Sequence, residues 1–322
     1  MKYIAINKIK IKLFVVLFIA ICFYIIIMYG LNIKNILLNI DKLKNEFDID
    51  FDYIHYENDI ITDKMIKESG WLMNLNEAYL INGLIRKYKP KNCLEIGVAM
   101  GGSAILILNA IKDYPDSKLI SIDLFSQTNQ NKKIGYLVEE KFPELMNKWQ
   151  LFTGDMPHKF LSKLNLKFDF FFLDSAHIKP GEFFNLIEAL PFLNENAIIV
   201  LHDIEWHLLK AVQRDLKKFN NRIMPTQIYL MSSLVGKKIL IKQKFNSFLN
   251  IGVVCLSKNQ KKYYLNYFLL LLTIWQYRPT KIQLNDLREF IKNYYEDKLL
   301  LKIFDNSVDF NNRIFDNLNM TE

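Results

Sequence analysis

Cysteine and histidine are scarce in this chain, at 3 and 5 of 322 residues. Cys22, Cys93 and Cys255 each lie inside an apolar run, so neither a disulfide framework nor a zinc site is expected, and the thiols should be reduced. Two phosphate-binding signatures are also missing. No G-x-G-x-x-G follows a strand, and no Gly-Lys-Ser/Thr closes a loop, which disfavours NAD and ATP as ligands. The lysines behind the net charge of +8 are scattered among acids, and no nucleic-acid motif is visible. One absence is positive information: the 21 residues from Leu13 to Ile33 contain no charge at all.

The stretch Lys91 to Ile111, KNCLEIGVAMGGSAILILNAI, organises the rest. A short apolar strand (Cys93, Leu94, Ile96) ends in Glu95 and Gly97, a turn follows with Gly101, Gly102 and Ser103, and an apolar helix runs from Ala104 to Ile111. Strand, small-residue turn and helix suit a doubly wound α/β ligand site, where the first N–H groups of the helix face the ligand. An acid at the strand end would sit badly against a pyrophosphate but suits a cationic ligand.

On these residues the stretch resembles motif I of class I S-adenosylmethionine-dependent methyltransferases, roughly L-E-I-G-x-x-x-G-x-S. The resemblance implies a seven-stranded, mostly parallel Rossmann-like sheet with S-adenosylmethionine held by Glu95, Gly97, Val98, Ala99, Gly101 and Ser103. It also places a covering helix over Asn74 to Lys87, a segment whose apolar residues have helical spacing. A second apolar strand, Leu119 to Ile122, ends in Asp123, whose two oxygens match the vicinal hydroxyls of a ribose. After a third strand at Leu151 and Phe152, the family lines its adenine, and Asp155 and Met156 fit the acid and the apolar contact.

Next comes KFDFFFLDSAHIKPGEFFNLIEALPFLNENAIIVLHDIEW. Phe168 to Leu173 reads as a central strand buried on both faces, ending in Asp174-Ser175-Ala176-His177. A helix from Glu182 to Leu190 leads to a fifth strand, Ala197 to Leu201, with His202 and Asp203 at its tip. Parallel strand tips share one edge, so Asp174, His177, His202 and Asp203 are expected to converge there. This block resembles the macrocin O-methyltransferase group and the cephalosporin hydroxylase-like proteins, which carry D-x-x-H after the fourth strand and an acidic pair after the fifth. That resemblance implies Asp174 and Asp203 as ligands of magnesium or another divalent cation, with His177 as general base. His202 stands where the first acid of the pair would be. Imidazole is a poor ligand for a hard cation, so His202 binds a softer ion, contacts substrate, or marks a site without metal.

Four segments result: an N-terminal membrane anchor (1–38), a stem (39–70), the methyltransferase domain (71–258) and a C-terminal helical extension (259–322). A helix of 21 residues at 1.5 Å per residue spans a bilayer core of about 30 Å. The run is longer than a signal-peptide core and no A-x-A-like site closes it. Lysines flank it on both sides; the cytosolic origin of S-adenosylmethionine places the domain on the cytoplasmic face. In the last third, MPTQIYLMSSLVGKKILI and FLNIGVVCLSK suit sixth and seventh antiparallel strands, followed by helices over Lys262 to Tyr277 and Lys281 to Tyr295 and a polar tail. The aromatic YYLNYFLLLLTIWQY suits packing on the sheet or the membrane interface. Three functions fit: O-methylation of a sugar, glycolipid or similar small acceptor; oxidative tailoring on the same fold; or an inactive tethered interaction domain. Oligomeric state is not readable.

Overall fold

Apolar runs short enough for strands alternate with helical segments, and the alternation sets the architecture. The computed structural model describes residues 47–48, 61–70, 73–204, 226–239 and 250–317. The chain divides into two compact units, 1–48 and 49–322. Of the first, only the extended pair Phe47–Asp48 is described; the second carries everything below. The apolar run Leu13 to Ile33 and most of the stem lie outside the described residues, among which no helix is long and apolar enough to cross a membrane.

Helix α1 (Asp63–Glu68) precedes α2 (Leu75–Tyr88), which starts on a capping box: Glu77 N–H donates to Asn74 Oδ1, and Asn74 N–H donates to Glu77 Oε2 at 2.8 Å. Strand β1 (Asn92–Ile96) feeds α3 (Gly102–Ile111), and β2 (Lys118–Asp123) leads through α4 (Tyr136–Lys141) to β3 (Trp149–Thr153). Then follow α5 (Pro157–Leu164), β4 (Phe168–Leu173), α6 (Gly181–Ala189) and β5 (Leu193–His202). After 205–225, which are not described, come α7 (Gln227–Ser233), β6 (Gly236–Ile239) and β7 (Ile251–Leu256). A broken helical stretch including α8 (Tyr264–Phe268) leads to α9 (Lys281–Tyr295) and α10 (Lys298–Asn317).

In the second unit the strand order is β6-β7-β5-β4-β1-β2-β3. The first five strands are parallel, and β7 runs antiparallel to both β5 and β6. The expected seven-stranded, doubly wound sheet is therefore present, although only one of its last two strands opposes the parallel block. Within β4, Phe170 and Phe172 enter the core under α2 and α3, while Phe171 and Leu173 enter the opposite core with α6. That period of two, apolar on both faces, is what a central parallel strand requires.

Three elements differ from the sequence reading. Gln227–Ser233 is a helix, not a strand, because Leu230, Met231 and Leu234 share one buried side at helical spacing. The aromatic stretch is not one helix: α8 is flanked by the 3-10 turns Gln260–Tyr263 and Leu269–Leu272, and Trp275 is buried, not at an interface. Its indole N–H donates to the Leu271 carbonyl at 2.9 Å, and its backbone N–H to Asn311 Oδ1 at 2.7 Å. The polar tail is the 20-residue α10, whose Leu300, Ile303, Phe304, Ser307, Asn311 and Phe315 are buried. These C-terminal elements complete the core on the α6 side, where Tyr295 Oη donates to the Ile187 carbonyl at 2.5 Å.

Candidate active site

The β1 exit is built to bring backbones together. Gly97 has φ +90°, and a Cβ there would lie 1.8 Å from the Asp174 carbonyl oxygen, so only glycine lets β1 and β4 end side by side. Asp174 N–H donates to the Ile96 carbonyl at 3.0 Å, and Gly97 N–H to that of Ile122 at 2.9 Å. Ala99, His177 and Asp203 also have positive φ, at 48°, 53° and 60°. Non-glycine residues in this region store strain, and three of them meet at these strand ends.

Asp123 is the keystone of the turn. Its Oδ2 accepts from Val98 N–H at 2.9 Å and Ala99 N–H at 3.2 Å, and its Oδ1 accepts from Phe125 N–H at 2.9 Å. It lines a cavity of about 500 Å³ together with Gly97, Val98, Ala99, Met156 and Asp174. A smaller cavity of about 90 Å³ lies across the same turn, lined by Gly70, Met73, Gly102, Ser103, Asp174 and His202. Gly101, the N-cap of α3, has φ +102° and supplies no side-chain cap, so the first N–H groups of the helix stay available.

Glu95 lines neither cavity. It is fully buried beneath the turn, where Ser103 Oγ and Ser121 Oγ each donate to one of its oxygens at 2.5 Å. Burial pushes its pKa up to about 7 against those two hydrogen bonds. Through Ser103 it anchors the helix start, and it has no surface open to either cavity. Because the folded-state value lies above the ordinary 4.5, stability is greatest below pH 4.5 and falls as pH rises towards about 7. Glu95→Gln should therefore gain about 3 kcal/mol over the parent at pH 8 and nothing near pH 4.5, read by denaturant unfolding at the two pH values.

Four chemistry-bearing side chains converge at the β4 and β5 tips. His177 Nε2 lies 3.6 Å from Asp174 Oδ1 and 3.4 Å from Asp203 Oδ2. His202 Nδ1 lies 3.2 Å from Asp174 Oδ2 and 3.5 Å from Asp203 Oδ1. Burial opposes charge on both imidazoles, but the surrounding carboxylates prevail: His177 is pushed up to about 9, and His202 rises well above its ordinary value. Asp174 is half-buried, which opposes its charge, yet the two imidazoles hold it below the usual carboxylate range. Burial shifts the Asp203 carboxyl the other way, above the usual range.

Sequence reasoning missed the groups that hold this cluster. Glu182, fully buried on α6, accepts from His177 N–H at 3.1 Å, lies 3.4 Å from His177 Nδ1, and also accepts from Thr226 and Gln227. Asn250 donates to Asp203. Glu77 lies 3.6 Å from His202 Nε2, so the glutamate of the α2 capping box ties the covering helix to the site. Its sequence signal was the Asn74-x-x-Glu77 spacing. Asp155, expected beside the adenine, is not among the residues lining the large cavity: its Oδ1 accepts from Met156 N–H at 2.8 Å and pairs with Lys159 at 3.2 Å.

As possible metal ligands, Asp174, His177 and Asp203 each offer an atom within 4.8 Å of the others. His177, expected as the base, thus joins the aspartates in place of His202. Two carboxylates and an imidazole suit manganese, iron or zinc better than magnesium.

Residues 94–204 match a family model described as a methyltransferase domain. They contain the β1 turn, Asp123 and the Asp174–Asp203 cluster, so the chain carries a methyltransferase domain. Among solved structures it is similar to the O-methyltransferase TomG from Streptomyces achromogenes, involved in tomaymycin synthesis and solved with S-adenosylmethionine, at 15% identity and TM-score 0.44 over 61% of this chain and 91% of that one. It is also similar to an O-methyltransferase from Bacillus cereus in complex with S-adenosylhomocysteine, at 14% identity and TM-score 0.44 over 63% and 96%. An S-adenosylhomocysteine-bound methyltransferase from Podospora anserina is similar at 16% identity and TM-score 0.44 over 62% and 89%. No curated protein matches the chain.

Proposed function

We propose that this chain is an S-adenosylmethionine-dependent O-methyltransferase acting on a hydroxyl of a sugar, glycolipid or similar small acceptor. In this reading a single N-terminal span holds it at the membrane with the catalytic domain on the cytoplasmic side. The observation that carries the reading is the row of groups along one sheet edge: Asp203, Asp174 with His177, the Gly97 turn, then Asp123. A cationic sulfonium is favoured beside the Asp174 carboxylate, and a ribose hydroxyl suits the one lone-pair position left on Asp123 Oδ1.

Transfer is an in-line displacement. The acceptor oxygen bonds to the methyl carbon as the carbon–sulfur bond breaks, S-adenosylhomocysteine leaves, and the hydroxyl proton passes to a base. His177 is the group placed to take it, held by Glu182 and facing both aspartates. The gathering of Asp174, His177 and Asp203 favours a second reading, in which these three hold a divalent cation in place of the two imidazolium charges. Such an ion would lower the pKa of an acceptor hydroxyl.

Calorimetry with S-adenosylhomocysteine on the full chain in detergent tests the first point. Micromolar binding is expected, weakened about 100-fold in Asp123→Ala, which loses a charged acceptor for a ribose hydroxyl and the carboxylate that holds the Val98–Ala99 turn. No binding by the parent would overturn the reading. The anchor is supported by the uncharged run Leu13 to Ile33; retention in membranes after alkaline wash, lost on deleting residues 1–38, is its measurement. A labelled-methyl screen over glycolipid extracts identifies the acceptor.

A further inference from the structure

We propose that Glu188 reads the exocyclic amine of the cofactor's adenine, the part expected of Asp155. The inference rests on the S-adenosylmethionine reading above. Along the sheet edge the strand ends succeed one another as β5, β4, β1, β2, β3, about 4.8 Å apart. A ligand with its methyl at β4 and β5 and its ribose over Asp123 at β2 carries its base on towards the β3 exit. Met156 and Pro157 supply apolar surface there and line the large cavity. The next residue, His158, meets Glu188 Oε1 through its Nδ1 at 2.6 Å.

Glu188 is fully buried, yet it lines that cavity. Its Oε2 accepts from Asn185 Nδ2 at 3.2 Å, and Asn185 Oδ1 in turn accepts from Ser175 Oγ at 2.8 Å. Asn185 and Ser175 line the cavity too. A carboxylate has about four lone-pair positions, so hydrogen-bond capacity remains after His158 and Asn185. Adenine offers an N–H donor at C6 to such a group. Hypoxanthine offers a carbonyl oxygen there, which the carboxylate would repel. Tyr277 and Gln283 border the same space from the C-terminal segment, which lies outside the matched residues 94–204.

The test compares S-adenosylhomocysteine with its deaminated analogue, S-inosylhomocysteine, by calorimetry on the full chain. The parent should bind the adenine compound at least about tenfold more tightly. Glu188→Gln keeps the shape but can turn an amide N–H to a carbonyl, so the preference should shrink to within about threefold. Asp155→Asn should keep the parent's preference. Equal binding of the two compounds by the parent overturns the proposal without needing a variant. So does full discrimination in a folded Glu188→Gln protein, or its loss in Asp155→Asn. Failure of the parent to bind S-adenosylhomocysteine at all sinks the underlying reading and this one with it, whereas tight but indifferent binding sinks this one alone.

Discussion

Gly97→Ala is expected to abolish binding of S-adenosylhomocysteine and to lower the melting temperature by about 10 °C. The added Cβ would sit 1.8 Å from the Asp174 carbonyl oxygen and 2.9 Å from the Ser175 Cα, both backbone atoms that no rotamer change can move. Positive φ adds about 1–3 kcal/mol of strain, and prising β1 from β4 costs a further 1–3 kcal/mol or so. Any relief must move Asp174, which lines both cavities, away from the turn. Gly154→Ala separates the two causes. That glycine also has positive φ, +88°, but its added Cβ would meet nothing within 4 Å, so it should cost about 1 kcal/mol and leave ligand affinity unchanged. Calorimetry and thermal melts on both variants provide the check. Undiminished binding by Gly97→Ala would show that the turn does not form the ligand site.

The sheet was legible because its central strands β1, β2, β4 and β5 are buried on both faces and lead into polar residues. Phe168 to Leu173 could be nothing but a central strand, and the acids at the ends of β2, β4 and β5 marked the ligand edge. Which way each acid faces was not legible. Glu95 and Asp123 both stand at strand ends, yet one turns under the loop to two serines and the other lines the cavity. A two-residue period gives the side of the strand, not the partner waiting there. Asp155 and Glu188 show the same limit from opposite directions. Asp155 sits at the expected place in the chain but pairs with Lys159, whereas Glu188 reaches the cavity from a helix whose spacing only says that it is buried. In α10 the signal was present: Leu300, Ile303, Phe304, Ser307, Asn311 and Phe315 follow a helical period. Asparagine and serine on its inner face disguised it, because they are buried through hydrogen bonds to the Ser307, Thr273 and Phe304 carbonyls and to Trp275 N–H.

His177→Ala should lower kcat by about 10²–10⁴ with little change in affinity for S-adenosylhomocysteine, since the imidazole lines neither cavity. The pH dependence carries more information than the loss. With its pKa pushed up to about 9, His177 is protonated at neutral pH and cannot accept a proton. Under the metal-free reading kcat should rise with pH up to about 9, and His177→Ala should lose that limb. The neighbouring carboxylates are what raise the value, so removing one must shift the limb in a known direction. Asp203→Asn takes away a charge 3.4 Å from Nε2, and the limb should move towards lower pH. A divalent cation on Asp174, His177 and Asp203 would oppose protonation of the ring and flatten the limb near neutrality. Chelator treatment then decides between the readings: a high-pH limb that is indifferent to chelator belongs to an imidazole base, whereas activity lost with chelator and regained with manganese belongs to the ion. A parent rate that neither rises with pH nor responds to chelator would remove His177 from the proton's path.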